Sequence, residues 1–486
     1  MVGKASLIVI LGFSLLFGVA SQYWNRTSNR AIENLSNYYD STVAHNIAVS
    51  IANLAVDSLF QNTADTTMSA LTGYFPVPSG KNDGSYKAVF SMQTGAGGIR
   101  NPYIVATSSY TGWLNNKPYS INDTVTVLLS YFAFSRYAFF TGNDNGVYWT
   151  TGDTLTGPLQ TNGNLYVDGV PVVHGPVTIG GTTYSNHHGA LQNPVQTNLP
   201  DSYGDTLKCN SFRPGVSVPL PKDLSGTTKD AIPASIFSQS NYAGSNYAYD
   251  VYLKFNADGT VTETDTTRQL SHGNWSVVAK SANQNIALSS LVNPATNKTV
   301  IEVSDGDVHV SGVVNGDVTV VATQGATPGA TTYRRSSTNT SNPSFSTGVD
   351  GNVLITGPIT YNSNPQSNPS STDMLGLVAN NDVMLTSQST DGNITIDAAI
   401  FAMGSFTFQD YSSDKGTTSN GTYNTFKGYL NVYGSISQNS RGGVGAIVNG
   451  TAYGYLKDYK YDSRFAWISP PSFPGTTPFR VIAWRE

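Results

Sequence analysis

Three carboxylates lie close together in one stretch, Asp305, Asp307 and Asp317, within SDGDVHVSGVVNGDVTVVA at residues 304–322. Two carboxylates held several ångströms apart on one face can act as acid and base on a glycan. The same oxygens, joined by those of Asp391-Gly-Asn393, could ligate calcium. Each of the three, however, sits in a DG or GD context, where an Asp side chain caps a turn. Neither an EF-hand nor the glycine-rich nonapeptide calcium repeat is present. The expectation is therefore turn architecture, with Ca2+ the only cofactor suggested and no catalytic residue assigned.

Other chemistry-bearing residues are sparse. Lys457, Asp458, Lys460, Asp462 and Arg464 cluster in KDYKYDSR, which reads as a salt-bridged, solvated end of a β unit. His187 and His188 are adjacent, so on a strand they point to opposite faces and do not share a metal. The single cysteine, Cys209, allows no intramolecular disulfide and reads as a packed thiol. No P-loop, dinucleotide fingerprint, GxSxG elbow or HExxH is present in a usable context. Tyrosines recur at residues 240–252 and 449–461, in segments that read as exposed, with the alternative that half of each pair is core. Tyrosine stacks on sugars or bases at low entropy cost, so binding is favoured over catalysis. The net charge of −5 argues against nucleic acid as the leading ligand.

The elements that must carry these residues are of two kinds. Residues 5–20 (ASLIVILGFSLLFGVA) carry no charge; Lys4 precedes them, and Tyr23, Trp24 and Arg26 follow. A cleaved signal peptide and a membrane helix both begin this way. The periodicity then decides. Ile32, Leu35, Tyr39, Val43, Ile47, Ile51, Leu54, Ala55 and Leu59 recur at helical spacing, and no Pro or Gly occurs from Val19 to Asn62. One continuous helix of more than 50 residues is expected, on the order of 80 Å long.

Beyond it the texture is β. Residues 84–93, 101–110 and 123–142 are β-branched and aromatic, with partial alternation. From Gly146 a simple grammar repeats: an Asp/Asn-Gly-Asn/Asp turn, a short alternating strand, Gly, and another short strand, as in TGDTLTGPLQTNGNLYVDG and VDGNVLITGPITY. Gly and Asn at tight turns and inward Val, Ile and Leu suit a parallel β-solenoid. An antiparallel sandwich with NG-type hairpins is the alternative. Charged residues make up only 12%, where about a quarter is usual for a soluble domain.

The N-terminal pattern resembles type IV pilin-like proteins. That resemblance implies a leader ending at Gly3, cleavage before Lys4 by prepilin peptidase, and a packing surface of Leu7, Ile8, Val9, Ile10, Leu11, Phe13, Leu15, Leu16 and Phe17 in a filament or membrane. Major pilins carry Glu at the fifth mature position; here that position is Ile8, which moves the resemblance toward minor or tip subunits. A plain membrane anchor would need no Glu either. The blocks TGPLQTNGNLYVDG, LGLVANNDV and PPSFPGTTPFRVIAWRE resemble an uncharacterised bacterial β-rich domain family that accompanies such N-termini.

The expected architecture is α+β, mainly β: a long N-terminal helix packed on a small antiparallel sheet, then a parallel β-solenoid-like body. The expected divisions are 1–62 (helix), 63–145 (pilin-like head), 146–200 (first coils), 201–300 (irregular insertion with a hairpin) and 301–486 (solenoid and cap). The expected function is a minor, tip-type pilin-like surface protein of a bacterial envelope. It would sit in the inner membrane before assembly with other pilin-like subunits, and present its body for adhesion or for capture of a glycan, protein or DNA ligand. The alternatives are a membrane-anchored envelope protein outside any filament and, third, a polysaccharide-active enzyme.

Overall fold

The computed structural model describes residues 2–61, 70–75, 84–94, 100–114, 117–130, 132–187, 190–194, 204–238, 247–271, 274–324, 334–335, 345–346, 351–386, 392–408, 426–448, 451–476 and 480–485. The chain divides into two compact units, Met1–Tyr131 with Pro478–Glu486, and Phe132–Thr477.

The first unit is built on α1 (Val2–Gln61), one unbroken helix of 60 residues. At 1.5 Å per residue it is about 90 Å long. The absence of helix breakers in the sequence is what lets it continue. Its C-terminal half buries Ala44, Ile47, Ala48, Ile51, Ala52 and Ala55, spaced three or four apart on one face. Four of these six are alanines, so the helix axis can approach its sheet closely.

That sheet is antiparallel, in the order β1 (Leu71–Phe75), β2 (Gly84–Thr94), β3 (Arg100–Leu114), β4 (Lys117–Ser130) and then the strand Arg480–Arg485. Ala88, Ile104, Ala106, Val125, Val127 and Leu129 face the helix and form one core with it. Alternation sends the intervening side chains to the other face. The expected helix-on-sheet head is therefore present, with two differences in extent. The stretch read as one strand-like segment at 123–142 breaks after Ser130, and Phe139–Asn143 belongs to the second unit. The last strand, placed by its sequence with the body, pairs with β4 instead (Val481↔Leu129, Trp484↔Val127). A strand finds its partner through space, and sequence position does not constrain which sheet edge is free.

The second unit is nearly all β. Most of its strands join through their pairings into one closed, largely parallel, barrel-like assembly; Trp149–Thr150, Leu165–Asp168, Thr183–His187 and Ala190–Pro194 form a separate four-stranded sheet, and Arg334–Arg335 pairs with Phe345–Ser346. Around residues 149–187 the parallel partners stand 18 residues apart: Thr154↔Val172, Leu159↔Val177, Leu165↔Thr183 and Trp149↔Val167. Further on, the register stacks like on like. Val308, Val353, Val383 and Phe406 form one column, and Val310, Ile355, Leu385 and Phe408 another. All eight are buried. Each such side chain contributes about 1.5–3 kcal/mol relative to exposure. Turns close with left-handed backbone where the geometry demands it: Gly351 has φ +94°, and its N–H donates to the Gly306 carbonyl 3.1 Å away.

Met374–Ala379 and Ile394–Ala402 are buried on both faces. A second apolar cluster of Phe134, Phe140, Phe401, Phe465 and Phe473 covers the side away from the main core. Such strands read as continuous apolar runs, as they do here.

Within 201–300 the predicted hairpin is present: Tyr247–Phe255 pairs antiparallel with Thr260–Ser271, in register from Tyr247↔Gln269 to Phe255↔Val261. The stretch is less separate than its sequence suggests. Lys208–Pro214 adds in parallel to Val172–Ile179, and Tyr247–Phe255 in parallel to Asp307–Val314. Nor do the units succeed one another in sequence order. Phe426–Ser440 pairs with Phe139–Asn143, and Thr451–Tyr461 with Thr154–Thr156, which brings the end of the body against its beginning.

Candidate functional site

The surface with the strongest physical demand is the N-terminal half of α1. Leu7, Ile8, Val9, Ile10, Leu11, Phe13, Leu15, Leu16 and Phe17 are all 55–73% exposed. Val19, Tyr23, Trp24, Ile32, Leu35, Tyr38 and Tyr39 continue the exposed apolar surface toward the head. The helix is long and apolar enough to cross a membrane, and none of its most apolar window is buried within the protein. Leaving this much apolar area in water is unfavourable at roughly 25 cal/mol per Å². Patches of this extent mark a membrane or protein contact. Gly3 and Lys4 lie in the first turns of the same helix. Ile8 occupies its position as an exposed apolar side chain with no polar group.

The C-terminal half of α1 is held by polar contacts as well as by packing. Ser108 Oγ donates to the Ala44 carbonyl at 2.6 Å. His45 Nδ1 meets Asp123 Oδ2 at 2.8 Å. Tyr119 donates its hydroxyl to the buried Asp40 carboxylate. That hydrogen bond, with burial, raises the Tyr119 phenol above its usual value. Gly112 is required beside it, because a Cβ there would collide with the Asp40 carboxylate and the Tyr119 ring. These contacts fix the buried half of the helix and leave the exposed half for other partners.

The three acidic candidates do not form a single face. Asp305 is a turn residue with φ +60°, and Asp317 is exposed at the head of its strand. Asp307 is fully buried and accepts 2.9 Å hydrogen bonds from the backbone N–H and the Nδ2 of Asn352. Burial, with the neighbouring Asp250 adding to it, pushes Asp307 up to about 7. Asp250 lies opposite it in the parallel register and is itself 1% exposed. Its oxygens meet His309 Nε2 at 3.1 Å and Arg268 Nε at 3.5 Å, and the His309 ring stacks on Tyr252. A paired-carboxylate arrangement thus exists, but it is Asp250 with Asp307, and both are shut away from a polymeric substrate. Among the described residues no group of three or more His, Cys, Asp or Glu side chains is placed to hold a metal ion. Asp391 and His188 lie outside the described residues.

The KDYKYDSR segment departs from its expected solvated state. Only the Lys460–Asp458 pair is surface-like, at 58% and 42% side-chain exposure. Asp462 is fully buried and is gripped by Arg464 through Nε and Nη2, while Arg464 Nη1 donates to the Ser371 carbonyl at 2.9 Å. The guanidinium also lies 5.4 Å from the Tyr361 ring centre. Nearby, Asp397 accepts from the Tyr361 N–H, and burial raises its carboxyl to about 6. Charge content by itself reads as surface; here the contacts with Ser371 and Tyr361 and the pairing of Thr451–Tyr461 with Phe426–Ser440 place Asp462 and Arg464 inside.

The tyrosine segments contribute in part to the core. Tyr249, Tyr455 and Tyr459 are core residues at 6%, 2% and 7% exposure. Alternation on a strand accounts for this, since every second residue must face inward. Residues 239–246 and 449–450 lie outside the described residues. Cys209 is half-buried, and burial raises its thiol, in keeping with a packed role. Sequence reasoning did not single out Asp144, Arg441 or Asp250. Their partners lie tens to hundreds of positions away, and no local motif marks them.

No protein-family profile matches this sequence, and no curated protein is similar enough to match. Among solved structures, one similar chain is the competence-associated pilin ComZ from Thermus thermophilus. The identity is 12%, the similarity spans 92% of this chain and 97% of that one, and the TM-score is 0.29, too loose to argue from.

Proposed function

We propose that this chain is a minor pilin-like surface subunit, of the kind placed at a filament tip, that displays its β body for adhesion or ligand capture. One observation carries the reading. A single 60-residue helix packs only its C-terminal half on an antiparallel sheet, and its N-terminal half stands bare and apolar. Such a half-helix suits two successive environments, the inner membrane of a bacterial envelope before assembly and the helices of other pilin-like subunits afterwards. Processing by prepilin peptidase between Gly3 and Lys4 would belong to this route. Ile8 fits a position with no subunit ahead of it, because a buried Glu there would need a neighbouring amine.

The body we read as a parallel β-solenoid. The 18-residue spacing of parallel partners and the stacked aliphatic columns support that reading. We assign it no enzymatic activity and no cofactor.

The decisive test is mass spectrometry of the N-terminus of the protein taken from the envelope, together with analysis of purified pili. A mature chain beginning at Lys4 and present in pili supports the proposal. An expressed protein absent from pili refutes it. An uncleaved N-terminus retained in the membrane would favour the second reading, a membrane-anchored envelope protein, which Ile8 also permits.

A further inference from the structure

The end of the body meets its beginning where Thr451–Tyr461 pairs in parallel with Thr154–Thr156. The register Tyr459↔Leu155 and Lys460↔Thr156, carried back two residues, sets Lys457 beside Asp153. Lys457 Nζ stands 3.8 Å from Asp153 Oδ2, with the side chains only 21% and 17% exposed. The Thr150 N–H donates to that same Oδ2 at 2.9 Å and so holds the carboxyl in place. The indole of Trp149, itself buried, lies 6.0 Å from Nζ. A second acid completes the cluster. Asp144 is fully buried, its nearest cation is Arg441 at 3.8 Å, and neither of its oxygens has a well-formed hydrogen bond. Arg441 in turn stacks on Trp149 at 4.4 Å and donates to the Val147 carbonyl.

We propose that Lys457 and Asp153 are the two ends of an intramolecular isopeptide bond, an amide between Nζ and Cγ formed with loss of one water. The uncharged amine attacks Cγ of the protonated carboxyl. The N–C bond forms and one C–O bond breaks. One proton from nitrogen joins the departing hydroxyl, which leaves as water. No oxidation state changes and no co-reactant is needed. Proton transfer within the pair, from ammonium to carboxylate, generates the reactive uncharged forms.

The surroundings favour the uncharged amine. Burial, with the Arg441 cation acting in the same direction, pulls Lys457 down to about 8. Burial likewise raises Asp144 to about 6, which weakens the negative charge that would otherwise hold the ammonium form. Condensation in bulk water is unfavourable, but reactants fixed by a fold reach effective concentrations on the order of 10⁵ M or more. Replacing a half-desolvated ion pair by a neutral amide also removes the cost of keeping both charges from water. The product would tie the last long strand of the body, Thr451–Tyr461, to the turn just before Thr154–Thr156 near its start, which suits a body that must resist being pulled open. This inference is independent of the filament reading.

The test is intact mass spectrometry of the purified full chain in detergent, followed by peptide mapping. The expected result is a mass one water below that of the sequence, and a branched peptide joining Lys457 to Asp153. Lys457→Arg and Asp153→Ala should restore the full mass. Asp153→Asn should still form the link, now by loss of ammonia, and give the same final mass as the native chain. That variant keeps the test valid if the others fail to fold. A folded native chain of full mass, or a lost water with residues 153 and 457 on separate linear peptides, overturns the proposal.

Discussion

Replacing Arg464 by methionine tests whether the buried polar cluster is structural. Asp462 has no exposed surface, and Arg464 supplies contacts to both of its carboxylate oxygens. Methionine keeps much of the volume and removes the charge. A buried carboxylate left without its partner costs about 3–5 kcal/mol. The Ser371 carbonyl also loses its donor. The unit that melts, Phe132–Thr477, has roughly 350 residues, so at about 2.1 cal/mol/K per residue its unfolding entropy is near 0.7 kcal/mol/K. The expected fall in Tm is therefore about 4–7 °C at pH 7. The assay is thermal unfolding by circular dichroism at pH 7, with Asp462→Asn/Arg464→Met as the companion that removes the unpaired charge and should recover most of the deficit. A deficit under about 1 kcal/mol, or one that the companion does not reduce, would refute the reasoning.

Four further outcomes follow from the same geometry. Asp307, raised to about 7, keeps its proton in the folded state over a range where the unfolded chain has lost it, so native stability should decline as pH rises from about 4 to 7. Asp307→Asn should then raise Tm at pH 8 relative to the native chain and change it little at pH 4, as read by calorimetry. Ala52→Leu, at a fully buried contact of α1 with its sheet, should destabilise the head by about 1–3 kcal/mol through overpacking, seen as earlier urea unfolding or faster proteolysis of residues 44–130. Gly434→Ala would force a Cβ into the Ala398 carbonyl at φ +157°, and soluble, folded yield should drop sharply. Leu11→Arg, in the middle of the exposed apolar helix, should cost about 2.5–3.5 kcal/mol of membrane insertion and move protein out of the membrane fraction; unchanged fractionation would argue against the helix spanning a bilayer.

Periodicity and the lack of helix breakers determined α1, because a helix is a local structure whose hydrogen bonds close within five residues. The same local signals marked the helix-on-sheet head, the hairpin at Tyr247–Phe255 and Thr260–Ser271, and the turn role of Asp305. The exposed apolar stretch from Leu7 to Phe17 was equally legible, since its composition leaves no alternative to burial elsewhere. What the sequence could not decide was which strand ends meet. A β-strand satisfies its hydrogen bonds with a partner of any sequence separation, so nothing local tells Arg480–Arg485 to join β4, or Thr451–Tyr461 to join Thr154–Thr156. Long-range contacts of the same kind placed Asp462 and Arg464 inside rather than on an expected solvated rim, through Ser371, Tyr361 and the pairing of Thr451–Tyr461 with Phe426–Ser440, and the pairing with Thr154–Thr156 set Lys457 against Asp153.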